Sequence, residues 1–401
     1  MKPGGINSFL EKEIHIGKAT FTVLDVVFVA AVTALAIIAR LYLFPLISGD
    51  FKGFLSRWMA KIHKLGGWNS LGTAISNYTS PYMYLMCLAA QFSNDLYSLK
   101  AISVFFDFAG AFGMGLLLWE LTGSSRKALL AYAVTILCPT VMINSAWWCQ
   151  CDMIYCSLMI FALLFLFKDK SALCCIFLGL AFSFKVQAVF LLPFILIMWL
   201  KGKTIKLWHL LFIPLVYVIM QVPAWIAGRP FSELMSVYLT QSGTYPQGTL
   251  KFPNLYEFLD ETYRHKHHQA EIGEWGVYFS LSVLGTVAWW LCSKKFRLTK
   301  EIMVTMALFT VCIALYTLPH MHERYGFIVD LLAIAYVIQR PKKTPVAILL
   351  ITMSLLTYMP FLIGAYVFPF AVLSVVYLGV IVYLGYDLHA QISSAEPEAK
   401  A

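Results

Sequence analysis

The chain has 401 residues, of which 60% are hydrophobic and only 13% charged, with a formal net charge of +9 and a mean hydropathy of +0.74. That is more apolar surface than a soluble core of this length buries, so an ordinary globular domain is excluded and a polytopic membrane protein is expected. The basic residues sit mostly in short stretches beside apolar runs, a bias that orients a protein in a bilayer and gives no argument for nucleic acid.

Roughly the first twenty residues are polar, and no short apolar segment ending in a small-residue cleavage site is present. The first apolar run, 21–44, is therefore expected to remain as a span. Further runs of span length fall near 100–121, 127–143, 150–167, 206–227, 275–292, 300–318, 325–339, 344–362 and 365–386. The stretch 171–200 is interrupted by Lys185. A lysine in mid-bilayer costs roughly 2.5–3.5 kcal/mol on insertion scales, which predicts two short spans, one ending at Phe184 and the next starting after Lys185.

Residues 79–93 resemble a span but are short, and counting them would invert everything downstream. Laid in the interface, they leave Arg126, Lys127, Lys168, Lys170, Lys201, Lys203, Lys206, Lys294, Lys295, Arg297, Lys300, Arg340, Lys342 and Lys343 on the side of the N-terminus. That is the positive-inside pattern with both termini cytoplasmic. The expectation is an all-α integral membrane domain over 1–401 with twelve transmembrane helices. Exterior loops cover 45–99 and 228–274, and the polar clusters gather on the exterior face.

Within the first loop, Phe51, Phe54, Leu55, Trp58, Met59 and Ile62 recur at helical spacing, with Lys52, Ser56, Arg57 and Lys64 opposite. This predicts an amphipathic juxtamembrane helix with Asp50 at its start. Asp50 is a helix cap, a general base, or both: a carboxylate at a capped helix start is ionised and rigidly aimed. The stretch NYTSPYMYL (77–85) predicts a second short helix, capped by Thr79 or Ser80 with Pro81 in its first turn. The two helices are expected to roof a cavity that a lipid-linked substrate enters sideways. Cys149, Cys151 and Cys156 lack the second half of a zinc motif and are expected to be packing residues. Asp107, inside a span, is expected to face protein or water.

A carboxylate shortly after the first span, the TSP turn (79–81), WWCQCDMIY (147–155), GLAFSFKVQAVFLLPF (179–194) and HERY (322–325) together resemble the GT-C class of membrane glycosyltransferases. They look most like the family of the second mannosyltransferase of GPI-anchor synthesis, over about 40–340 of the chain. The resemblance implies transfer of one hexose, mannose in the leading example, from a polyprenyl-phosphate sugar to a glycan or glycolipid acceptor outside the cytoplasm, with inversion. The implied membrane is the plasma membrane in a prokaryote and the endoplasmic reticulum in a eukaryote. The first-loop acidic base maps onto Asp50, and the GQxD-like turn onto Cys149, Gln150, Cys151 and Asp152, with cysteine where glycine is usual. No DxD motif is found in the first loop, so no divalent metal or other cofactor is implied.

Sugar transfer off a phosphate needs a base for the acceptor hydroxyl, cations for the leaving group and polar groups that orient the sugar. Asp50 and Asp152 are the catalytic candidates; Lys185, His322 and Arg324 are the phosphate candidates, Arg as a planar fork and Lys as a point charge. Gln150, Gln187, His320, Glu323, Tyr78 and Trp148 are candidate substrate contacts. Several have a plainer alternative. Asp152 caps the following helix, Lys185 snorkels to headgroups, Trp147 and Trp148 belong to an interfacial aromatic belt, and Glu323 pairs with Arg324. His320 and His322 diverge by about 200° on a helix but share a side in an extended loop. The loop 242–274 is expected to cover the acceptor site. Its RHKHHQAE stretch (264–271) spaces His265 and His268 for a metal if helical, though a solvated basic turn is the simpler reading. A transporter or flippase of lipid-linked saccharide is the competing function; it needs polar residues along a path through the bilayer, whereas here they collect at one face.

Overall fold

A bilayer offers the backbone no partner but itself, and the chain is helical through each of its apolar runs. The structure is a computed structural model that describes residues 3–17, 19–202, 204–242, 247–259 and 269–396. Polar flanks start the helices. Thr22 opens Val23–Leu43 with a capping box: its hydroxyl accepts from the Asp25 amide at 3.2 Å while the Asp25 carboxylate accepts from the Thr22 amide at 2.7 Å. Asn94 and Thr299 likewise accept from the Tyr97 and Ile302 amides at the heads of Asp95–Thr122 and Lys300–Thr317.

Among the described residues seven helices are long and apolar enough to cross a membrane: Val23–Leu43, Asp95–Thr122, Leu207–Ile226, Glu271–Ser293, Lys300–Thr317, Pro341–Leu362 and Phe370–Ser394. An eighth crossing exists if Ser125–Ile136 and Pro139–Trp147 act as one, but they meet at 48°. The run 127–143 is thus not a straight rod, because Pro139 has no N–H for the preceding turn and restarts the helix at an angle. Asp152–Phe167, Ser171–Phe184, Val186–Leu200 and Phe327–Gln339 are apolar but shorter. At about 1.5 Å per residue, helices of 13 to 16 residues reach about 20–24 Å, less than the ~30 Å hydrocarbon core. The break expected at Lys185 is present: Ser171–Phe184 ends there, Lys185 is extended, and a 3-10 turn leads into Leu192–Leu200.

Lys300–Thr317 is the hub, buried from Ile302 through Thr317, and Phe327–Gln339 beside it is buried along nearly all its length. The outer helices show the reverse, leaving Leu24, Ile38, Leu211, Ile226, Trp275 and Trp289 more than half exposed. An apolar rim of this kind is what lipid solvates. Buried charges find each other: Arg40 meets Asp107 at 2.9 Å, the Ser145 hydroxyl donates to the same carboxylate at 2.6 Å, and both charged side chains are sealed from solvent. Asp107 therefore faces protein, and it joins the first helix to Asp95–Thr122 and to the turn that follows Pro139.

The flanking basic residues pair at one end of the bundle. There Glu120 receives Lys300 at 2.6 Å and Lys168 at 3.9 Å, while Asp387 receives Arg340 at 3.1 Å and Lys343 at 3.2 Å. The described residues contain only two small sheets, a hairpin of Glu13–Ile16 with Ala19–Thr22 and a parallel pair of Thr249–Leu250 with Met321–His322. The second ties the 228–274 loop to the HMHER segment.

Candidate functional site

The first helix ends beside the site because of Lys100. Its ammonium donates to the Phe44 carbonyl at 2.9 Å and the Leu46 carbonyl at 2.6 Å, so a buried cation closes the helix at its C-cap Phe44, six residues before Asp50. The chain then turns: the Ser48 hydroxyl donates to the Trp148 carbonyl at 2.6 Å and accepts from the Phe51 amide at 3.2 Å. Ser48, not Asp50, serves the following helical turn, and the Asp50 side chain makes no cap. The juxtamembrane helix is wider at its start than expected, a π-turn over Phe51–Leu55 continuing as Ser56–Lys64. Its predicted apolar face packs Leu55, Met59 and Ile62 against Tyr82, Met86 and Cys87 of the second short helix, Ser80–Ala89.

A π-turn also shapes the facing segment. Ile143–Trp147 closes with the Trp148 amide on the Ile143 carbonyl at 2.8 Å. Cys149 follows at φ 65°, in the left-handed region that favours glycine. That conformation swings Trp148 and Gln150 toward Asp50, and three donors converge on Oδ2 of that carboxylate: Trp148 Nε1 at 3.0 Å, Arg324 Nη1 at 2.9 Å and Gln150 Nε2. Among the described residues no hydrogen bond reaches Oδ1. The side chain remains 28% exposed and lines a cavity of about 420 Å³.

Behind this carboxylate lies a second charged pair. Asp152 receives Lys185 at 2.5 Å on one oxygen, and Asn144 at 2.8 Å and Arg324 at 3.8 Å on the other. Its carboxylate makes no helix cap. It is 2% exposed and lies behind the cavity lining. Lys185 does line the cavity, buried, with Tyr78 and Tyr155 rings 5.5 and 5.8 Å from its ammonium; it does not snorkel. Burial works against its charge, but Asp152, together with Cys151 and Tyr78, outweighs that and holds its pKa well above the usual lysine value. Thr79 stands at the N-cap of Ser80–Ala89 as expected, but its hydroxyl makes no cap bond and donates instead to the Ser183 carbonyl at 2.6 Å, fixing the backbone two residues before Lys185.

Arg324 links the halves. Besides Asp50 and Asp152 it meets Glu323 at 3.3 Å, and its guanidinium lies 5.0 Å from the Trp148 ring. The expected Glu323–Arg324 pair exists as one part of this wider network. Burial opposes the Glu323 charge, yet Arg324 and then His322, 3.6 Å away, bring its pKa below the usual glutamate value. His322 lines the cavity, as do Gln150, Gln187, Tyr78, Glu323 and Arg324.

Two expected contacts are corrected. Trp148 is 1% exposed, packed 5.1 Å from Tyr358, and is neither a belt residue nor a cavity wall; it acts from behind through its N–H. His320 lies away from the cavity, at φ 61° with Nδ1 on the Gln247 carbonyl at 2.7 Å, so it diverges from His322 although both lie in a loop. Among the described residues no group of three or more His, Cys, Asp or Glu side chains is placed to hold a metal ion. His265 and His268 lie outside the described residues. Cys149, Cys151 and Cys156 are buried free thiols, and burial raises the Cys149 pKa to about 12.

The sequence reading missed Lys100, Asn144, Phe361 and Lys251. Lys251, at φ 63°, lines the cavity from the 228–274 loop. Nothing in its local sequence separates it from an ordinary loop lysine. The Arg40–Asp107 pair did carry a signal, since a lone acid in one apolar run needs a lone base in another. No family model matches the chain, and no curated protein matches it.

Proposed function

We propose that the protein is a membrane glycosyltransferase that moves one hexose, mannose-like, from a polyprenyl-phosphate sugar to a glycan or glycolipid acceptor on the non-cytoplasmic face, with inversion. In this reading all twelve apolar helical segments are embedded in the bilayer, the short ones surrounded by protein, and the basic end faces the cytoplasm. The observation that carries the reading is the state of Asp50: three donors fix one oxygen while the other has no hydrogen bond among the described residues, at the edge of a cavity of about 420 Å³. That is within the usual size of a small-ligand pocket.

Oδ1 of Asp50 accepts the proton of the acceptor hydroxyl as that oxygen bonds to the anomeric carbon. The bond from this carbon to the phosphate oxygen breaks on the opposite face, and the electron pair leaves with the lipid phosphate. Trp148, Gln150 and Arg324 hold the base aimed. Lys185 and Arg324 hold the carboxylates in place, His322 stands on the phosphate side, and Gln187 and Tyr78 offer contacts for sugar hydroxyls.

The test is incubation of purified protein with a panel of polyprenyl-phosphate hexoses, reading release of lipid phosphate and labelling of an acceptor. Wild-type protein is expected to use at least one, and Asp50→Asn to lose about 10²–10⁴-fold in rate while keeping its fold. Movement of labelled lipid between leaflets with no sugar transferred would establish the transporter instead. Unaltered transfer by Asp50→Asn would remove Asp50 from the mechanism.

A further inference from the structure

The three long cations on the cavity wall are not equivalent. Lys185 is held by Asp152 at 2.5 Å, and Arg324 by Asp50, Glu323 and Asp152 at 2.9, 3.3 and 3.8 Å. Two cations thus face three carboxylates, and this cluster has no positive charge to spare for an anion. Lys251 differs. Its ammonium sits 4.5 Å from the centroid of the Phe361 ring and 5.1 Å from that of Tyr366, and no carboxylate of the described residues pairs with it. Aromatic faces attract an ammonium through their quadrupole but do not neutralise it. Its charge and its N–H donors remain available to the cavity.

The backbone holds Lys251 there against its preference. At φ 63° a residue with a side chain is strained. The conformation is fixed by the parallel pairing of Thr249–Leu250 with Met321–His322, by the bridge from Lys251 to His322, and by the Glu323 amide on the Leu250 carbonyl at 3.1 Å. The same short sheet therefore sets both the HMHER residues and Lys251 on the cavity.

The rings beside this ammonium lead outward. Phe361 lines the cavity, whereas Tyr366 belongs to the connection after Pro341–Leu362, where Ile363, Tyr366, Val367 and Phe368 are 54%, 63%, 55% and 44% exposed. A charged subsite inside the cavity thus adjoins an apolar lane outside it. One ligand chemistry matches both: a phosphate carried on a long apolar chain, its head on Lys251 and its chain along the 363–368 connection.

We infer that Lys251 is the residue that receives the phosphate of a lipid-linked substrate, with Phe361 and Tyr366 marking where the chain leaves the cavity. The inference rests on the polyprenyl-phosphate reading above and assigns its direct phosphate contact to Lys251, leaving Lys185 and Arg324 to hold the carboxylates.

The experiment measures binding of polyprenyl phosphate to the purified full chain by quenching of tryptophan fluorescence, with polyprenol and inorganic phosphate as comparison ligands. Wild-type protein is expected to bind polyprenyl phosphate at least about tenfold more tightly than either. Lys251→Gln is expected to weaken that binding about tenfold or more, the loss of a hydrogen bond to a charged group, with Lys251→Arg restoring most of it. Tyr366→Ala is expected to weaken polyprenyl phosphate and polyprenol together. Wild-type affinity in Lys251→Gln would overturn the assignment, and inorganic phosphate competing at equal concentration would overturn the lipid source. Sugar transfer measured in parallel separates the two claims. Lysine-dependent lipid-phosphate binding with no transfer from any polyprenyl-phosphate hexose sinks the enzyme and keeps the subsite; transfer with an unchanged KM in Lys251→Gln does the opposite.

Discussion

Replacing Lys185 with methionine tests whether the charged cluster is one coupled unit. Lys185 is 8% exposed and Asp152 2%, so each depends on its partner for the loss of water. Deleting the ammonium leaves the Asp152 oxygen that held it at 2.5 Å without a donor, while the other oxygen keeps Asn144 at 2.8 Å and a distant Arg324 at 3.8 Å. Removing one member of a buried pair destabilises by about 3–5 kcal/mol. The remaining contacts on Asp152 place Lys185→Met near the lower figure, about 3 kcal/mol. Asp152→Asn strands a buried ammonium and is expected to lose a similar amount. The double variant removes both charges together with their desolvation penalty, so it is expected to lose about 3 kcal/mol where independent sites would give about 6. Equilibrium unfolding of the four proteins in mixed micelles, with denaturing detergent as the variable, gives the coupling. Additive losses, or a Lys185→Met variant as stable as wild type, would show that the lysine is solvated in the protein and that the cluster is not coupled through it.

Trp148→Phe keeps a ring beside Tyr358 and under Arg324 but deletes the N–H donated to Asp50 at 3.0 Å. Transfer is expected to fall in kcat by about tenfold or more with KM little changed; a change confined to KM would place the tryptophan with substrate binding instead. Cys149→Gly is expected to stay within about 1 kcal/mol of wild type, because relief of the φ 65° backbone offsets the lost thiol packing, whereas Cys149→Val is expected to lose about 2 kcal/mol or more. Thermal unfolding of the pair reads this directly, and a valine variant as stable as the glycine one would contradict the left-handed turn. Glu323 has a pKa below its ordinary 4.5, so its stabilising contribution is complete above that value and is lost as pH falls through the lower folded value. The stability gap between wild type and Glu323→Gln is therefore expected to be flat from neutrality down to about pH 5 and to close below about 4.5. A gap that widens on acidification would reverse the sign.

The positions of the helices were legible in the sequence because hydropathy is a local property. Each apolar run had to satisfy its backbone internally, and Lys185 marked where one run stops. The chemistry of the HMHER segment was only half legible. That Asp50, Asp152, Lys185 and Arg324 meet follows from their lying at the same ends of their helices, but which of them touch does not. A residue's place on a helix end gives depth, while the distance between helix ends is set by packing around Lys300–Thr317.

Composition and periodicity by themselves determined that the chain is a helical membrane protein and that its polar residues gather away from the basic ends. Tertiary structure alone decided that Trp148 turns inward to Asp50, that His320 turns away, and that Lys251 joins the cavity. Each of these follows from a left-handed residue or a π-turn whose conformation is fixed by partners far along the chain. Local sequence cannot encode such a conformation, because the hydrogen bonds that hold it exist only once the helices have packed.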